Sequence, residues 1–190
     1  MITFLLIYLL AYLIGSLPSG FLIARWRGIK NIQEYGSGNI GATNVARTLG
    51  IKYFFVVFFL DAGKAWLFLK VLENFHVGEW ERMLAAVVLL VGNGFPIFLR
   101  FRGGKGIATS FGILLATNPI LLFYVCIPWI ITFLITKTVG IASVGALVSA
   151  PIISFIILQD TFSITMLILF IAGWGVVKHR SNIMNYFSNR

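Results

Sequence analysis

The chain has 190 residues, 59% of them apolar and only 11% charged, with a mean hydropathy of +0.95. Ordinary soluble chains carry about a quarter charged residues, so a water-soluble globule is excluded and lipid is the expected solvent. The formal charge of +9 marks a cytoplasmic membrane face before it suggests nucleic acid, and the single cysteine, Cys126, supports neither a disulfide framework nor a structural zinc site.

The first apolar run, 3–24, has no basic residue before it and meets its first positive charge at Arg25. That order is wrong for a cleaved signal peptide and right for a first span whose N-terminus lies outside. Further apolar runs cover 53–72, 82–99, 107–117, 120–136, 141–158 and 162–177. A helix needs roughly 20 apolar residues to cross a bilayer, so seven crossings use about 140 residues. Little remains for a separate soluble domain, and 1–190 is read as one transmembrane domain.

The short fourth run, 107–117, ends in Asn118-Pro119. A single helix from Ile107 to Ile135 would be about 43 Å long, too long for a core of about 30 Å without a break or strong tilt. Pro119 and Pro128 both invite breaks. Charge decides between six and seven spans. Seven place Arg25, Arg27, Lys30, Arg47, Lys52, Arg100, Arg102, Lys105, Lys137, Lys178, Arg180 and Arg190 inside, twelve of the fifteen basic residues. Glu73, Glu79, Glu81 and Asp160 then fall outside, with Lys70 and Arg82. Six spans would put Lys137 and Lys178-His179-Arg180 outside, against the positive-inside tendency. The expected fold is all-α and polytopic, with seven transmembrane helices, the N-terminus outside and the C-terminus cytoplasmic. No internal repeat of the transporter kind is evident.

The densest polar stretch is Gly36-Ser37-Gly38-Asn39-Ile40-Gly41-Ala42-Thr43-Asn44, followed by Arg47. Glycines let backbone amides converge into an anion-binding nest, and Ser, Asn and Thr add donors. A helix starting near Ala42 would add its positive end. Gly36-x-Gly38-x-x-Gly41 matches the dinucleotide fingerprint in letters only, since no strand precedes it. The bland alternative is a flexible glycine-rich connector, which has no need of clustered donors and an arginine.

A second stretch, Phe101-Arg102-Gly103-Gly104-Lys105-Gly106, follows Gly92-Asn93-Gly94-Phe95-Pro96. Its spacing is not that of a Walker A loop. It combines permissive backbone with Arg and Lys before a helix, which suits an anion; its bland alternative is a tight turn carrying a topology signal. Asp61 and Lys64, three apart in an apolar run, share a helix face. They are read either as a structural ion pair or as a substrate contact. Ser143 opens the sixth span on the inner side, where small residues also serve helix packing. His179 lies at the inner surface without a nearby carboxylate in sequence, so a Ser-His-Asp triad has little support, and no group has metal-ligand spacing. His76 falls in the acidic outer loop and is read as solvated. The inner face is thus rich in anion binders and poor in bases. That suits an already activated electrophile with an anionic leaving group, which needs mainly positioning and charge stabilisation.

Taken together, these motifs resemble the bacterial acyl-phosphate:glycerol-3-phosphate acyltransferase family over essentially the whole chain. The matching residues are Gly15-Ser16-x-Pro18-x-Gly20, the 36–44 stretch with Arg47, Phe95-Pro96 through Arg102-Gly103-Gly104-Lys105-Gly106-Ile107-Ala108-Thr109, Ala142-Ser143, and His179-Arg180-x-Asn182-Ile183. The resemblance implies a seven-helix enzyme of the bacterial cytoplasmic (inner) membrane with its active site facing the cytoplasm. It would transfer a fatty acyl group from acyl phosphate to the sn-1 hydroxyl of glycerol 3-phosphate, giving lysophosphatidic acid and inorganic phosphate without coenzyme A, cofactor or metal. Implied catalytic residues are Ser37, Asn39, Ser143 and His179. Implied substrate-binding residues are Gly36, Gly38, Thr43, Asn44, Arg47, Arg102, Gly104, Lys105 and Asn182. The implied partners are the two substrates, membrane lipid and the enzyme that supplies acyl phosphate, with no nucleic acid.

Two positions depart from that family. Asn93 stands where it usually has His, and Gly140 where it often has Ser. An amide cannot titrate near neutral pH. The proton is therefore expected to go to a substrate phosphate, with His179 as the second choice. The competing readings are a small anion or solute carrier with a basic cytoplasmic mouth, and a non-catalytic membrane scaffold.

Overall fold

The computed structural model describes residues 2–157 and 162–188. Leu158, Asp160 and Arg190, used above in placing spans and charges, lie outside them. Among the described residues every regular element is helical: α1 (Ile2–Ser16), α2 (Ser19–Trp26), α3 (Ala42–Leu49), α4 (Lys52–Asn74), α5 (Glu79–Gly94), α6 (Ile107–Thr117), α7 (Pro119–Thr136), α8 (Val139–Ile157), α9 (Phe162–Lys178) and α10 (Arg180–Ser188). Short 3-10 turns at Ile32–Glu34 and Ile97–Leu99 lie in the two polar connections. The chain divides into two compact units, residues 1–116 and 117–190.

In the first unit α1 packs along α5 because both carry small residues at the seam. A Cβ on Gly15 would strike the Leu89 carbonyl, and one on Gly92 would strike that of Tyr12. Such backbone approach replaces the hydrophobic drive that lipid cannot supply between helices. Gly112 of α6 lies on the Ala62 carbonyl of α4 in the same way.

Between α1 and α2 the chain breaks at Leu17-Pro18, since proline has no N–H to continue the ladder. The break is braced by α4. The Lys64 ammonium donates to the carbonyls of Gly15 (3.1 Å) and Leu17 (2.8 Å). It also pairs with Asp61 at 2.8 Å, and Asp61 accepts from the Ser19 hydroxyl at 2.8 Å. Of the two readings open for Asp61 and Lys64, the geometry gives the structural one.

In the second unit α7 and α8 form a hairpin in which Gly145 fits against the Thr132 hydroxyl, and Gly175 of α9 fits against Leu147. Pro128 and Pro151 lie inside α7 and α8. α9 and α10 meet at a bend of 49°.

Every apolar run read from the sequence has a helix, but the helices differ in their capacity to cross lipid. Ile2–Trp26, Glu79–Leu99, Pro119–Thr136 and Val139–Ile156 are long and apolar enough alone, with Phe162–Lys178 and Arg180–Ser188 a fifth if taken as one bent span. α4 has 23 residues but carries Asp61, Lys64 and Lys70. α6 has 11 residues, which at about 1.5 Å each reach only about 16 Å.

Candidate active site

The connection from α2 to α3 is polar in sequence yet fixed by apolar pegs. Ile32, Ile40 and Val45 are buried with Ala24, Tyr53 and Val57. Full burial of an aliphatic side chain contributes about 1.5–3 kcal/mol over leaving it exposed, enough to hold a glycine-rich loop in one shape. Gly20 of α2 makes room: a Cβ there would meet the Ile40 carbonyl.

Asn44 organises the loop above these pegs. It is 2% exposed. Its Oδ1 accepts from the Ser37 N–H (2.8 Å), and its Nδ2 donates to the carbonyls of Asn39 (2.8 Å), Tyr35 (3.0 Å) and Ile32 (3.4 Å). Gly36 and Gly38 take φ of +57° and +69°, a region in which side chains are strained, and Asn44 Oδ1 occupies the space a Cβ on Gly36 would need. The Gly38 N–H donates to the Tyr35 carbonyl and the Gly41 N–H to Asn39 Oδ1. The open nest of amides expected from the sequence is therefore closed: the Ser37, Gly38 and Gly41 N–H groups hold the loop together. Asn44, expected to touch substrate, has both ends of its amide committed to the same task.

What the loop presents outward is different. The Ser37 side chain is exposed, and Asn39 and Thr43 are partly so. α3 begins at Ala42 as expected, leaving the Ala42 and Thr43 N–H groups without intrahelical acceptors. Arg47 is exposed in the last turn of α3.

The second connection folds back beside the first. Gln33 Nε2 donates to the Arg102 carbonyl at 3.0 Å, and the Gly104 N–H donates to the Asn93 carbonyl at 3.0 Å. A Cβ on Gly104 would lie 3.2 Å from Asn93 Oδ1 and 3.7 Å from Ile40, while Gly103 fits against the Asn93 carbonyl and Pro96. The turn enters through two successive left-handed residues, Arg100 (φ 51°) and Phe101 (φ 62°). Such conformations cost of order 1–2 kcal/mol each outside glycine and persist only where the surroundings fix them. Here the Phe101 N–H bonds to the Pro96 carbonyl at 2.9 Å and that of Arg102 to Leu99 at 3.1 Å. The result brings Lys105 into the field of Arg47. Burial, and then the Arg47 guanidinium, hold the Lys105 pKa below its ordinary value. The Arg102 side chain is exposed.

The second unit carries its own polar group. The Ser143 hydroxyl is 2% exposed, donates to the Val139 carbonyl at 2.9 Å, and accepts from Trp129 Nε1 at 3.4 Å. No base stands at its oxygen in these bonds, so the geometry gives a positioned hydroxyl rather than an activated nucleophile. His179 is buried with Nδ1 at 2.8 Å from the Gly175 carbonyl. A carbonyl only accepts, so Nδ1 carries a proton. Asn182, one turn into the bent segment, lies against Gly140.

Sequence patterns did not single out Gln33, Trp129 or the Asn93 carbonyl, because their roles rest on partners distant in the chain. Among the described residues no group of His, Cys, Asp and Glu could hold a metal ion.

A family model described as glycerol-3-phosphate acyltransferase matches residues 5–189. The chain belongs to that family. A relative named glycerol-3-phosphate acyltransferase from Wolbachia pipientis subsp. Culex pipiens is 37% identical over 97% of this chain and 95% of its own length. One from Desulforamulus reducens is 41% identical over 96% and 90%. The fold matches the crystal structure of PlsY (YgiH), an integral membrane glycerol 3-phosphate acyltransferase, in its glycerol 3-phosphate form. The TM-score is 0.91 at 33% identity, covering 99% of this chain and 94% of that one. The lysophosphatidic acid form of PlsY gives a TM-score of 0.89 at the same identity. The family assignment makes this an integral membrane protein.

Proposed function

We propose that the chain acylates glycerol 3-phosphate from acyl phosphate, releasing lysophosphatidic acid and inorganic phosphate. The observation carrying this is the match of residues 5–189 to acyltransferases of that name, supported by two basic groups from separate connections, Arg47 and Lys105, that lie within one another's electrostatic field. The sn-1 hydroxyl oxygen attacks the acyl carbonyl carbon, the bond from that carbon to the phosphate oxygen breaks, and the electron pair leaves with phosphate. The hydroxyl proton goes to a phosphate oxygen of the bound substrates, because the amide of Asn93 cannot take it. His179 Nε2 is the second choice.

Arg47 and Lys105 bind phosphate, assisted by Ser37, Asn39, Thr43 and the first amides of α3. Gly36, Gly38, Asn44 and Gly104 shape the surface on which those groups stand. Arg102 contributes charge from the rim. Ser143, His179 and Asn182 are further residues proposed to serve the reaction. No cofactor enters this chemistry, since acyl phosphate is already activated.

The domain is proposed to be single, 1–190, with seven passes: the α1–α2 stretch, then α4 to α9, with α6 the short one and α3 and α10 not crossing. The N-terminus lies outside and both basic connections face the cytoplasm of a bacterial inner membrane, as the charge distribution favours. The partner is the enzyme that delivers acyl phosphate. A carrier is disfavoured because Asp61 and Lys64 brace a helix break instead of lining a path.

The test supplies purified protein in lipid with acyl phosphate and labelled glycerol 3-phosphate and follows lysophosphatidic acid. Absence of product, with solute uptake into sealed vesicles, overturns the enzyme reading.

A further inference from the structure

We propose that Arg27 and Lys52 form a binding site for the headgroup of an anionic phospholipid, with Tyr53 as its floor and Trp26 and Ile51 at its lipid edge. The site lies in the first unit and is separate from the acyl transfer proposed above. Its two cations come from different elements: Arg27 directly follows α2, and Lys52 opens α4. They meet at one ring. The Arg27 guanidinium lies 5.6 Å from the Tyr53 centroid and the Lys52 ammonium 5.2 Å from it. Tyr53 is buried in one cluster with Ala24 of α2 and Val57 of α4, so the ring is fixed and the cations gather on it. The negative face of an aromatic ring attracts a cation, yet one ring does not neutralise two. Among the described residues neither Arg27 nor Lys52 pairs with a carboxylate. The acid nearest Arg27 in sequence, Glu34, accepts from Asn31 at 2.8 Å; the one nearest Lys52, Asp61, is held by Lys64 and Ser19. Two like charges without a counter-charge favour an anion beside them.

The surroundings say which anion. Ile2–Trp26 is long and apolar enough to cross a bilayer, so Arg27 follows at the membrane edge, at the level of the lipid headgroups. Trp26 is 76% exposed, and Leu22, one turn before it, is exposed too. Ile51 is 70% exposed, as is much of Phe55, one turn after it. Each cation is therefore next in the chain to a stripe of large apolar side chains without protein cover, the surface that an acyl chain takes. Tryptophan suits that level because its ring is amphipathic. Free phosphate gains nothing from the two stripes, whereas a lipid phosphate brings chains that lie on them. A topology signal alone requires neither the shared ring nor the stripes. Basic pockets between membrane helices on the cytoplasmic side bind anionic headgroups by this combination.

The experiment is native mass spectrometry of the full chain released from mixed micelles of phosphatidylglycerol and phosphatidylcholine. The unaltered protein should retain one phosphatidylglycerol in preference to phosphatidylcholine. A basic side chain near a lipid surface contributes about fivefold in binding. Arg27→Gln and Lys52→Gln should each lower the preference by about that factor, and the pair by more than about tenfold. Arg25→Gln with Lys30→Gln removes the same formal charge, but neither of those side chains lies over a ring among the described residues. That control should keep the preference within about twofold, and excess inorganic phosphate should not displace the lipid. No preference in the unaltered protein, an equal loss in both pairs, or displacement by phosphate overturns the proposal. Retained lipid is read without acyl transfer, so failure of the lipid site leaves the acyltransferase reading standing, and an inactive enzyme leaves the lipid site standing.

Discussion

Arg47 lies near enough to Lys105, from a different part of the chain, for its guanidinium to add to burial in lowering the lysine's pKa. Two like charges brought together on a surface otherwise held by neutral hydrogen bonds favour an anion between them. The sign of the pH dependence follows. In the free protein Lys105 begins to lose its charge at a lower pH than an ordinary lysine. Bound phosphate stabilises the ammonium and raises that pKa, so binding at alkaline pH takes up a proton. Affinity for glycerol 3-phosphate should fall as pH rises through the lowered pKa, at a pH below that of an ordinary lysine's titration. Calorimetry in buffers of different ionisation enthalpy reads the uptake. Lys105→Arg should bind with neither proton uptake nor the alkaline decline, because guanidinium stays charged. An unchanged alkaline limb would remove Lys105 from phosphate binding.

Asn44 makes a prediction about the loop rather than the substrate. Asn44→Asp keeps the acceptor for the Ser37 N–H but turns a carboxylate toward the Asn39, Tyr35 and Ile32 carbonyls. Losing those bonds in a buried place should cost about 1–3 kcal/mol or more. Hydrogen exchange at Ser37 and Gly41 should accelerate and Tm should fall. Native protection at both amides would show that the loop is held by something else.

The pair of Asp61 and Lys64 is about a tenth exposed at each side chain. Lys64→Met leaves a carboxylate and the carbonyls of Gly15 and Leu17 without the ammonium. Breaking a buried pair from one side typically costs about 3–5 kcal/mol. Asp61→Asn with Lys64→Met should be less destabilised than Lys64→Met alone, as read by thermal unfolding in detergent. Full stability of the single variant would contradict the bracing role.

Asn93 is 5% exposed and gives its carbonyl to the Gly104 N–H. That contact is backbone, so Asn93→His can keep it. If a substrate phosphate takes the proton, the substitution should change kcat by less than about tenfold, with no new inflection near the imidazole value of about 6.5. A gain of several orders of magnitude would show that a base at this position was missing.

The runs of apolar residues, the basic clusters and the turn glycines were all legible in the sequence, and each apolar run became a helix. Hydropathy is a local property, and lipid requires backbone hydrogen bonds to be closed within each segment, so composition dictates helices here. The charge order likewise named the face on which chemistry is expected, and the motif spacings pointed to the family. What only the tertiary structure decided was pairing. The donors at Ser37, Gly38 and Gly41 looked open in one dimension and proved closed by Asn44 and neighbouring residues. Asp61 and Lys64 could be read as a structural pair or a substrate contact, and they brace the break before Ser19. Gly140 stood out in sequence only as a departure from the family, and its packing against Asn182 appeared in the structure. Hydrogen bonds and steric fits act over a few ångströms, and which groups come that close is set by the packing of helices far apart in the chain.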